Sequence, residues 1–339
     1  MLLNMGRKTI GVMTLLAAAG AASVLAWRQA APAMPNGPAF SMTIGVPIQL
    51  SAGAVFVAEQ QRMFARHGLT VGINRFLLGK QALQAVLDGQ ADFAIVADTP
   101  FALAVLRGAP VATLGTVFES RKSLAIAGRR DSGVSDVASL AGKQVGTVPG
   151  TNAEFFLDTM LEVHNVDRAS VQVVDLKAGD LVSAIRDKRV DAVTAWNPDL
   201  ARIVQASGAQ GVALYGEDLF VYRFLLVARQ DYIDANGAQV KQLLTALRQS
   251  NDFIKSNPQQ ARAILAPLMG LSSELLMPTF EPADFTLVLD QSLLLTLSAQ
   301  MRWAAAKGLV KAGPAPDYLD YVRPEPLKAV APDAMRIIR

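Results

Sequence analysis

Short polar loops that follow apolar segments hold most of the side chains in this sequence that could bind a ligand. Each loop joins a predicted strand to a predicted helix and combines turn residues with hydroxyl or amide groups. Because the first N–H groups of a helix have no partner inside the helix, such loops suit an anionic or strongly polar ligand. The loops are Gln49-Leu50-Ser51, Leu78-Gly79-Lys80, Asp98-Thr99-Pro100, Pro149-Gly150-Thr151-Asn152 and Trp196-Asn197-Pro198. From them we select as binding candidates Gln49, Leu50, Ser51, Gly79, Asp98, Thr99, Thr151, Asn152, Trp196 and Asn197.

Several of these candidates also have a purely structural interpretation. Thr151 and Glu154 have the spacing of a capping box, so Thr151 could cap its helix with or without touching a ligand. Pro100 suits the first turn of a helix, and Asp98 could cap the same helix. Trp196 could belong to the core or line a pocket, and we favour the pocket because it stands in a polar loop at a strand end.

The sequence offers few residues of the types that hydrolytic, redox or metal chemistry requires. Cysteine is absent, and the two histidines, His67 and His164, each stand at the C-terminal end of a predicted helix. A cation there is favourable for the helix dipole alone. No nucleophile elbow, zinc-binding helix or phosphate loop surrounds either of them. The sequence therefore predicts a binding protein without catalytic residues, metal or cofactor.

Two stretches of the chain share nearly the same pattern. Ala85–Ala94 and Ala184–Val193 each run from a helix end through a turn and an Asp into a short apolar strand. In both halves strands alternate with helices, which is typical of a largely parallel sheet. The repeat predicts two similar α/β lobes, with ligands bound at the carboxyl ends of the strands.

We expect the chain to cross twice between these lobes. Apolar strands at Leu124–Ala127 and Phe224–Ala228 accompany the crossings, near residues 125–130 and 221–225. From Asp231 onward the pattern is almost wholly helical, with prolines between the helices. The predicted fold is therefore two α/β lobes with a two-segment hinge and a helical C-terminal region. The expected divisions are residues 41–124 for the first part of lobe 1, 125–223 for lobe 2, and 224–339 for the return to lobe 1.

Basic residues near the hinge could neutralise an anionic ligand. Arg223 directly precedes the return strand, and Arg121-Lys122 lie just before the outgoing strand. Both positions are at the expected floor of the cleft between the lobes. We add Arg223 to the binding candidates, with a surface ion pair as the alternative role, and expect Lys80 to face solvent.

Charge and composition exclude a nucleic-acid-binding role. Of 339 residues, 51% are hydrophobic and 18% charged, a globular profile with room for two domains. The first 33 residues contain three of the 32 basic residues, Arg7, Lys8 and Arg28, and no acid. The rest of the chain therefore carries equal numbers of basic and acidic residues, so it offers no basic surface to nucleic acid.

Residues 1–33 have the pattern of an export signal. Arg7-Lys8 is followed by an uncharged stretch from Thr9 to Trp27, and small residues then offer cleavage sites. The stretch also reaches the lower length of a membrane span, so a retained anchor is the alternative to a cleaved signal peptide. The absence of cysteine excludes a lipidated cysteine after the signal and fits the bacterial periplasm.

Taken in their order along the chain, the loops and helix ends resemble the periplasmic substrate-binding components of ABC importers for nitrate, taurine and alkanesulfonates. This group includes the thiamine-precursor binders. The resemblance covers residues 41–325. It departs from the family at Trp196-Asn197-Pro198, where an acid commonly follows the Trp, and this favours a plain anion or sulfonate over taurine. The motifs that carry it are Ile44-Gly45-Val46, Met63–Leu69, Gly89–Ala94, Asp98-Thr99-Pro100, Leu140–Gly146, Gly150-Thr151-Asn152 and Trp196-Asn197-Pro198.

The resemblance implies a two-lobed periplasmic binding protein of type II that captures a small anion by hinge closure. It also implies a monomer that delivers the ligand to an ABC transporter permease in the inner membrane. Two alternatives stay open: a membrane-anchored ligand-sensing module, and an enzyme on the same fold, since the superfamily includes a sulfinate hydrolase and a pyrimidine synthase. Those enzymes depend on Cys or His residues that this chain lacks or places elsewhere.

Overall fold

Two β-sheets organise the molecule, which confirms the two-lobed α/β prediction. The computed structural model describes residues 40–216, 218–281, 283–310 and 316–337. The expected signal peptide or anchor, residues 1–33, lies outside the described residues. The strands are β1 Phe40–Pro47, β2 Leu69–Phe76, β3 Phe93–Ala97, β4 Val111–Ser120, β5 Leu124–Arg129, β6 Gln144–Thr147, β7 Gln172–Asp175, β8 Ala192–Trp196, β9 Gly211–Leu214, β10 Tyr222–Arg229, β11 Ala283–Asp290 and β12 Met335–Arg336.

Each lobe is built on one sheet. The first sheet has seven strands in the order β12-β11-β4-β10-β3-β1-β2, and the second has five in the order β7-β6-β8-β5-β9. Strands β1, β2 and β3 are parallel, as are β6, β7 and β8, whereas β10 runs antiparallel between β3 and β4. The carboxyl ends of the parallel strands therefore form one edge in each lobe, where open α/β sheets bind ligands.

Helices cover both sheets. Strand β3 is buried at all five positions, and the helix that follows it is apolar nearly all round, so both pack inside lobe 1. The described helices are α1 Gly53–Gln60, α2 Met63–Arg66, α3 Gly79–Leu87, α4 Asp98–Leu106, α5 Asn152–Val163, α6 Leu181–Arg186, α7 Asp199–Ser207, α8 Gln230–Ala235, α9 Gly237–Ser256, α10 Pro258–Leu268, α11 Ser273–Phe280, α12 Gln291–Ala306 and α13 Pro324–Val330.

The two crossings between the lobes lie a few residues from the expected positions. The first is the short segment 121–123 between β4 and β5, and the second lies between β9 and β10. Leu124 was expected in lobe 1 but belongs to the second sheet. Tyr222 was expected in lobe 2 but belongs to the first sheet. Strand β4 extends to Ser120 because it pairs there with both β10 and β11.

The C-terminal region is less helical than expected. Strand β11 joins the first sheet beside β4, and β12 pairs with β11 at the sheet edge. Phe285, Leu287 and Leu289 alternate along β11 and are all buried, a period of two that is typical of a strand. The sheet edge beside β4 gives this segment hydrogen-bond partners that a helix could not use.

The described helices give no single candidate for a membrane span. One pair, Pro258–Leu268 with Ser273–Phe280, reaches the required length and apolar composition together, across a bend of 114°.

Candidate functional site

A narrow cavity, with about 20 Å³ of free volume, lies between the two lobes, at the carboxyl ends of the parallel strands. We call it the inner pocket. The loop after β1, the last residues of β3 and β8, and the first turns of α3, α4 and α5 form its walls, and the start of β10 forms part of lobe 1's side. Its lining consists of Gln49, Leu78, Gly79, Lys80, Ala97, Pro100, Thr151, Asn152, Trp196, Tyr222 and Phe224.

Two helix N-termini, one from each lobe, reach the inner pocket. Helix α3 begins at Gly79 and α5 begins at Asn152, and both residues line the cavity. A Cβ on Gly79 would stand 3.0 Å from the Ile95 carbonyl oxygen and 3.0 Å from the Val96 Cα. Glycine is therefore required for α3 to approach β3 this closely, and the positive ends of two helix dipoles face one cavity.

Asn152 supplies an amide donor that the surrounding protein leaves unused. The side chain is 4% exposed, and its Nδ2 has no hydrogen-bond partner among the described residues. It lies beside the Tyr222 hydroxyl and lowers the pKa of that group, against the larger effect of burial. A buried donor without an acceptor is unfavourable by about 1–3 kcal/mol, so an acceptor bound in the pocket would be stabilised here.

Thr151 caps helix α5. Its Oγ1 accepts a hydrogen bond from Ala153 N at 3.2 Å and donates to the Val148 carbonyl oxygen at 2.7 Å. In a capping box, the Glu154 carboxylate would accept a hydrogen bond from the Thr151 N–H. Here it accepts from the N–H of the preceding residue, Gly150, at 2.8 Å. This cap fixes the loop that presents Asn152.

Tyr222 and Gln49 form a polar pair on lobe 1's side of the pocket. The Tyr222 hydroxyl donates to Gln49 Oε1 at 3.0 Å, and both side chains are buried. Burial raises the pKa of Tyr222, so its hydroxyl stays neutral and keeps its proton. Tyr222 also packs edge-on against Phe118 and Phe224, which fixes the ring.

Lys80 is the one charged residue on the described lining of the inner pocket. Its Nζ donates to the Pro149 carbonyl oxygen at 3.0 Å, which links the start of α3 in lobe 1 to the loop before α5 in lobe 2. Burial lowers the pKa of Lys80, and the Glu154 carboxylate acts in the opposite direction. Lys80 was expected to face solvent, but it is half-buried, because the loop before α5 in the opposite lobe lies against its ammonium group.

Trp196 ends strand β8 with its side chain on the cavity wall and only 3% exposed. The next residue, Asn197, is also buried, but it does not line the inner pocket. Asn197 Oδ1 accepts from Ala201 N at 3.2 Å, so this amide serves the first turn of α7.

Four further candidates lie behind the pocket wall. Leu50 and Ser51 are buried in the loop after β1, and Asp98 and Thr99 begin helix α4, fully buried. Their neighbours Gln49 and Pro100 reach the cavity instead. Burial raises the pKa of Asp98 to about 6, and the Arg223 guanidinium, the Gln300 amide and the Thr99 N–H act in the opposite direction.

Arg223 is occupied by other groups of lobe 1. Its guanidinium donates to Glu119 Oε1 at 2.6 Å, Ser292 Oγ at 2.8 Å and Thr296 Oγ1 at 3.2 Å. The side chain is 3% exposed and is absent from the lining of the inner pocket. Along β10 it points away from the face of Tyr222 and Phe224, because successive side chains alternate across a strand.

The sequence interpretation missed Tyr222 and Phe224. Both lie on one face at the start of β10, and antiparallel pairing places Phe224 opposite Ala97 at the end of β3. The alternation Tyr222, Phe224 was visible in the sequence, but the neighbouring strand that brings these rings to the cleft was not. The other lining residues that were not selected include Leu78, Lys80 and Ala97, each of which is next in sequence to a selected candidate.

Helices α5 and α12 join the lobes beside the pocket. Lys307 Nζ lies 2.8 Å from both Glu154 Oε1 and Asp158 Oδ2, and Trp303 Nε1 donates to Asp158 Oδ2 at 2.8 Å. The Trp303 ring packs edge-on against Phe155. These contacts hold lobe 2 against lobe 1 in an arrangement that encloses the inner pocket.

The histidines lie away from the inner pocket, whose own groups are suited to binding a ligand. His67 bonds Gln249, His164 bonds the Met160 carbonyl oxygen, and neither lines the inner pocket. Within the described ranges, no group of three or more His, Asp or Glu side chains is placed to hold a metal ion. What the pocket offers is helix N-termini, an amide donor, an ammonium group and aromatic faces.

Several known proteins with a related sequence or structure are named as binding proteins. A putative aliphatic sulfonates-binding protein of Escherichia coli K12 is 26% identical over 257 residues, 76% of this chain and 79% of that protein. The solved periplasmic aliphatic sulphonate binding protein SsuA of E. coli has a TM-score of 0.73 at 22% identity, covering 83% of this chain and 97% of that one. The alkanesulfonate-binding protein SsuA of Xanthomonas axonopodis pv. citri, bound to MOPS, has a TM-score of 0.75 at 22% identity, covering 85% and 99%.

The family profile described as NMT1/THI5 like matches residues 50–261. This range includes every lining residue of the inner pocket except Gln49. The match confirms the family resemblance seen in the sequence: the chain belongs to the NMT1/THI5-like family.

Proposed function

We propose that this protein is the periplasmic solute-binding component of an ABC importer and that it captures an organic sulfonate in the inner pocket. The observation that carries the proposal is the unpaired, buried amide of Asn152 at the N-terminus of α5, with Lys80 from the other lobe beside the same cavity. A sulfonate has only acceptor oxygens and a negative charge, so it matches these donors. The E. coli and Xanthomonas relatives, which are named as sulfonate-binding proteins, support this class of ligand.

Ligand binding between the lobes explains capture. An anion that contacts Asn152 from lobe 2 and Lys80 from lobe 1 interacts with both lobes only when they are together. It therefore shifts the population toward the enclosed arrangement. The enclosed protein would then deliver the ligand to a permease in the inner membrane.

The lining favours plain sulfonates over taurine. Taurine carries an ammonium group, and among the described lining residues of the inner pocket there is no carboxylate to receive it. The sequence argument reached the same preference through Asn197, but that residue lies outside the lining. The reason is instead the composition of the whole cavity wall.

Calorimetric titration of the exported protein with butanesulfonate, taurine, nitrate and sulfate tests this function. We expect saturable one-to-one binding of butanesulfonate, with each of the other three at least tenfold weaker. Tighter binding of nitrate or sulfate would identify an inorganic anion as the ligand and would contradict the sulfonate proposal. An absence of binding to all four would contradict anion capture itself.

A further inference from the structure

A second and larger cavity adjoins the inner pocket. This outer chamber has a volume of about 400 Å³ and also lies between the lobes. Gln49 and Trp196 line both cavities, so the two adjoin at these side chains. The outer chamber therefore offers space next to the inner pocket for the rest of a ligand.

The outer chamber is mainly apolar. Ile48 and Leu77 of lobe 1 and Val182 of lobe 2 form part of its wall, and Leu268 and Met269 form another part. Leu77 is 61% exposed, an unusual degree for a large apolar side chain beside a binding cleft. Apolar walls next to a small set of polar groups are typical of sites for organic ligands.

The basic group of the outer chamber is already paired. Arg202 Nη1 donates to Asp199 Oδ1 at 2.8 Å, and Arg202 Nη2 donates to the Met269 carbonyl oxygen at 2.7 Å. The second bond crosses from α7 of lobe 2 to the end of α10 in lobe 1. Arg202 therefore holds the chamber wall together and leaves no free charge for a second anionic group.

We propose that the outer chamber holds the apolar body of an organic sulfonate whose anionic head occupies the inner pocket. This inference rests on the proposed function and makes it more specific: the ligand class is sulfonates with a body of several carbons, as opposed to methanesulfonate or an inorganic anion. Burial of each additional methylene contributes about 0.8 kcal/mol, which corresponds to about fourfold in affinity.

The first test is the chain-length dependence of binding. Methanesulfonate, butanesulfonate and octanesulfonate are titrated into the full exported protein by calorimetry. We expect octanesulfonate to bind at least tenfold more tightly than butanesulfonate, and butanesulfonate more tightly than methanesulfonate. Equal affinities across the series would overturn the inference while leaving sulfonate binding in place. No binding by any member would refute the proposed function together with the inference.

The second test fills the outer chamber. Gly179 lines it, and a Cβ built there meets no atom within 4 Å, so Gly179→Phe introduces a large side chain at the chamber wall with an unobstructed Cβ. We expect the preference for octanesulfonate over methanesulfonate to fall at least tenfold. Gly237→Phe is the matched control, because its Cβ is equally unobstructed and it lies at the start of α9, outside both cavities. An unchanged preference in Gly179→Phe, or the same fall in the control, would overturn the inference.

Discussion

Asp98→Asn should make the protein more stable at neutral pH. Asp98 is fully buried at the start of α4, with Oδ1 accepting from Thr99 N at 2.8 Å. Its Oδ2 has no partner among the described residues, and the same holds for the amide of Gln300, which lies beside it. Asparagine keeps the acceptor for Thr99 and adds a donor for Gln300, without changing the volume.

The magnitude follows from the pKa of Asp98. Burial raises it from 3.8 to about 6, so the folded protein binds this proton more tightly than the unfolded chain does. Between these two values the folded state carries more protons, so wild-type stability falls as the pH rises and this loss is complete above pH 6. A shift of about two units corresponds to about 3 kcal/mol. Because asparagine does not ionise, the variant does not lose this stability as the pH rises.

Urea denaturation followed by circular dichroism, between pH 4 and pH 7.5, measures the difference between variant and wild type. We expect the two to be of similar stability near pH 4 and the variant to be about 3 kcal/mol more stable at pH 7.5. Asp252→Asn, an exposed change on α9, controls for the loss of a carboxylate elsewhere. A difference that does not change with pH, or a variant less stable at pH 7.5, would refute the reasoning.

Three further predictions concern the walls of the inner pocket and the contacts between lobes. Lys80→Met should weaken sulfonate binding about tenfold in calorimetry and reduce its salt dependence, whereas Lys241→Met on the exposed face of α9 should not. Gly79→Ala should lower the free energy of unfolding by about 1–3 kcal/mol, because its Cβ would press on β3; equal stability to wild type would count against that contact. Trp303→Phe should weaken binding severalfold by removing the bond to Asp158, and an unchanged affinity would show that this bond does not assist closure.

The sequence predicted those features that depend on local pattern. The short apolar strand predicted at the end of the Ala85–Ala94 pattern is present as β3, because a short apolar run bounded by Asp and a polar loop has few alternatives. Asn152 and Trp196 were selected for a local reason: each belongs to a polar loop between a predicted strand and a predicted helix, and the structure places both on the cavity wall.

Features that depend on distant partners could not be predicted. Arg223 was selected for its position near the hinge, but its nearest partner, Glu119, lies on β4, and only the strand order brings the two together. Lys80 was expected to face solvent because nothing near it in sequence shows that Pro149 of the other lobe covers it. Strand β11 was missed because its pairing edge, β4, lies far away in the chain.

Binding of butanesulfonate to wild type and to Asn152→Ala tests the central claim most directly. Thr151 still caps α5 in the variant, so the fold should be retained, which a thermal melt would check. If the buried Asn152 amide donates to a sulfonate oxygen, calorimetry should show affinity about fivefold to about 150-fold lower in the variant, equivalent to about 1–3 kcal/mol. Asn257→Ala, exposed at the end of α9, should bind as wild type does. Equal affinity of wild type and Asn152→Ala would contradict the placement of the ligand in the inner pocket.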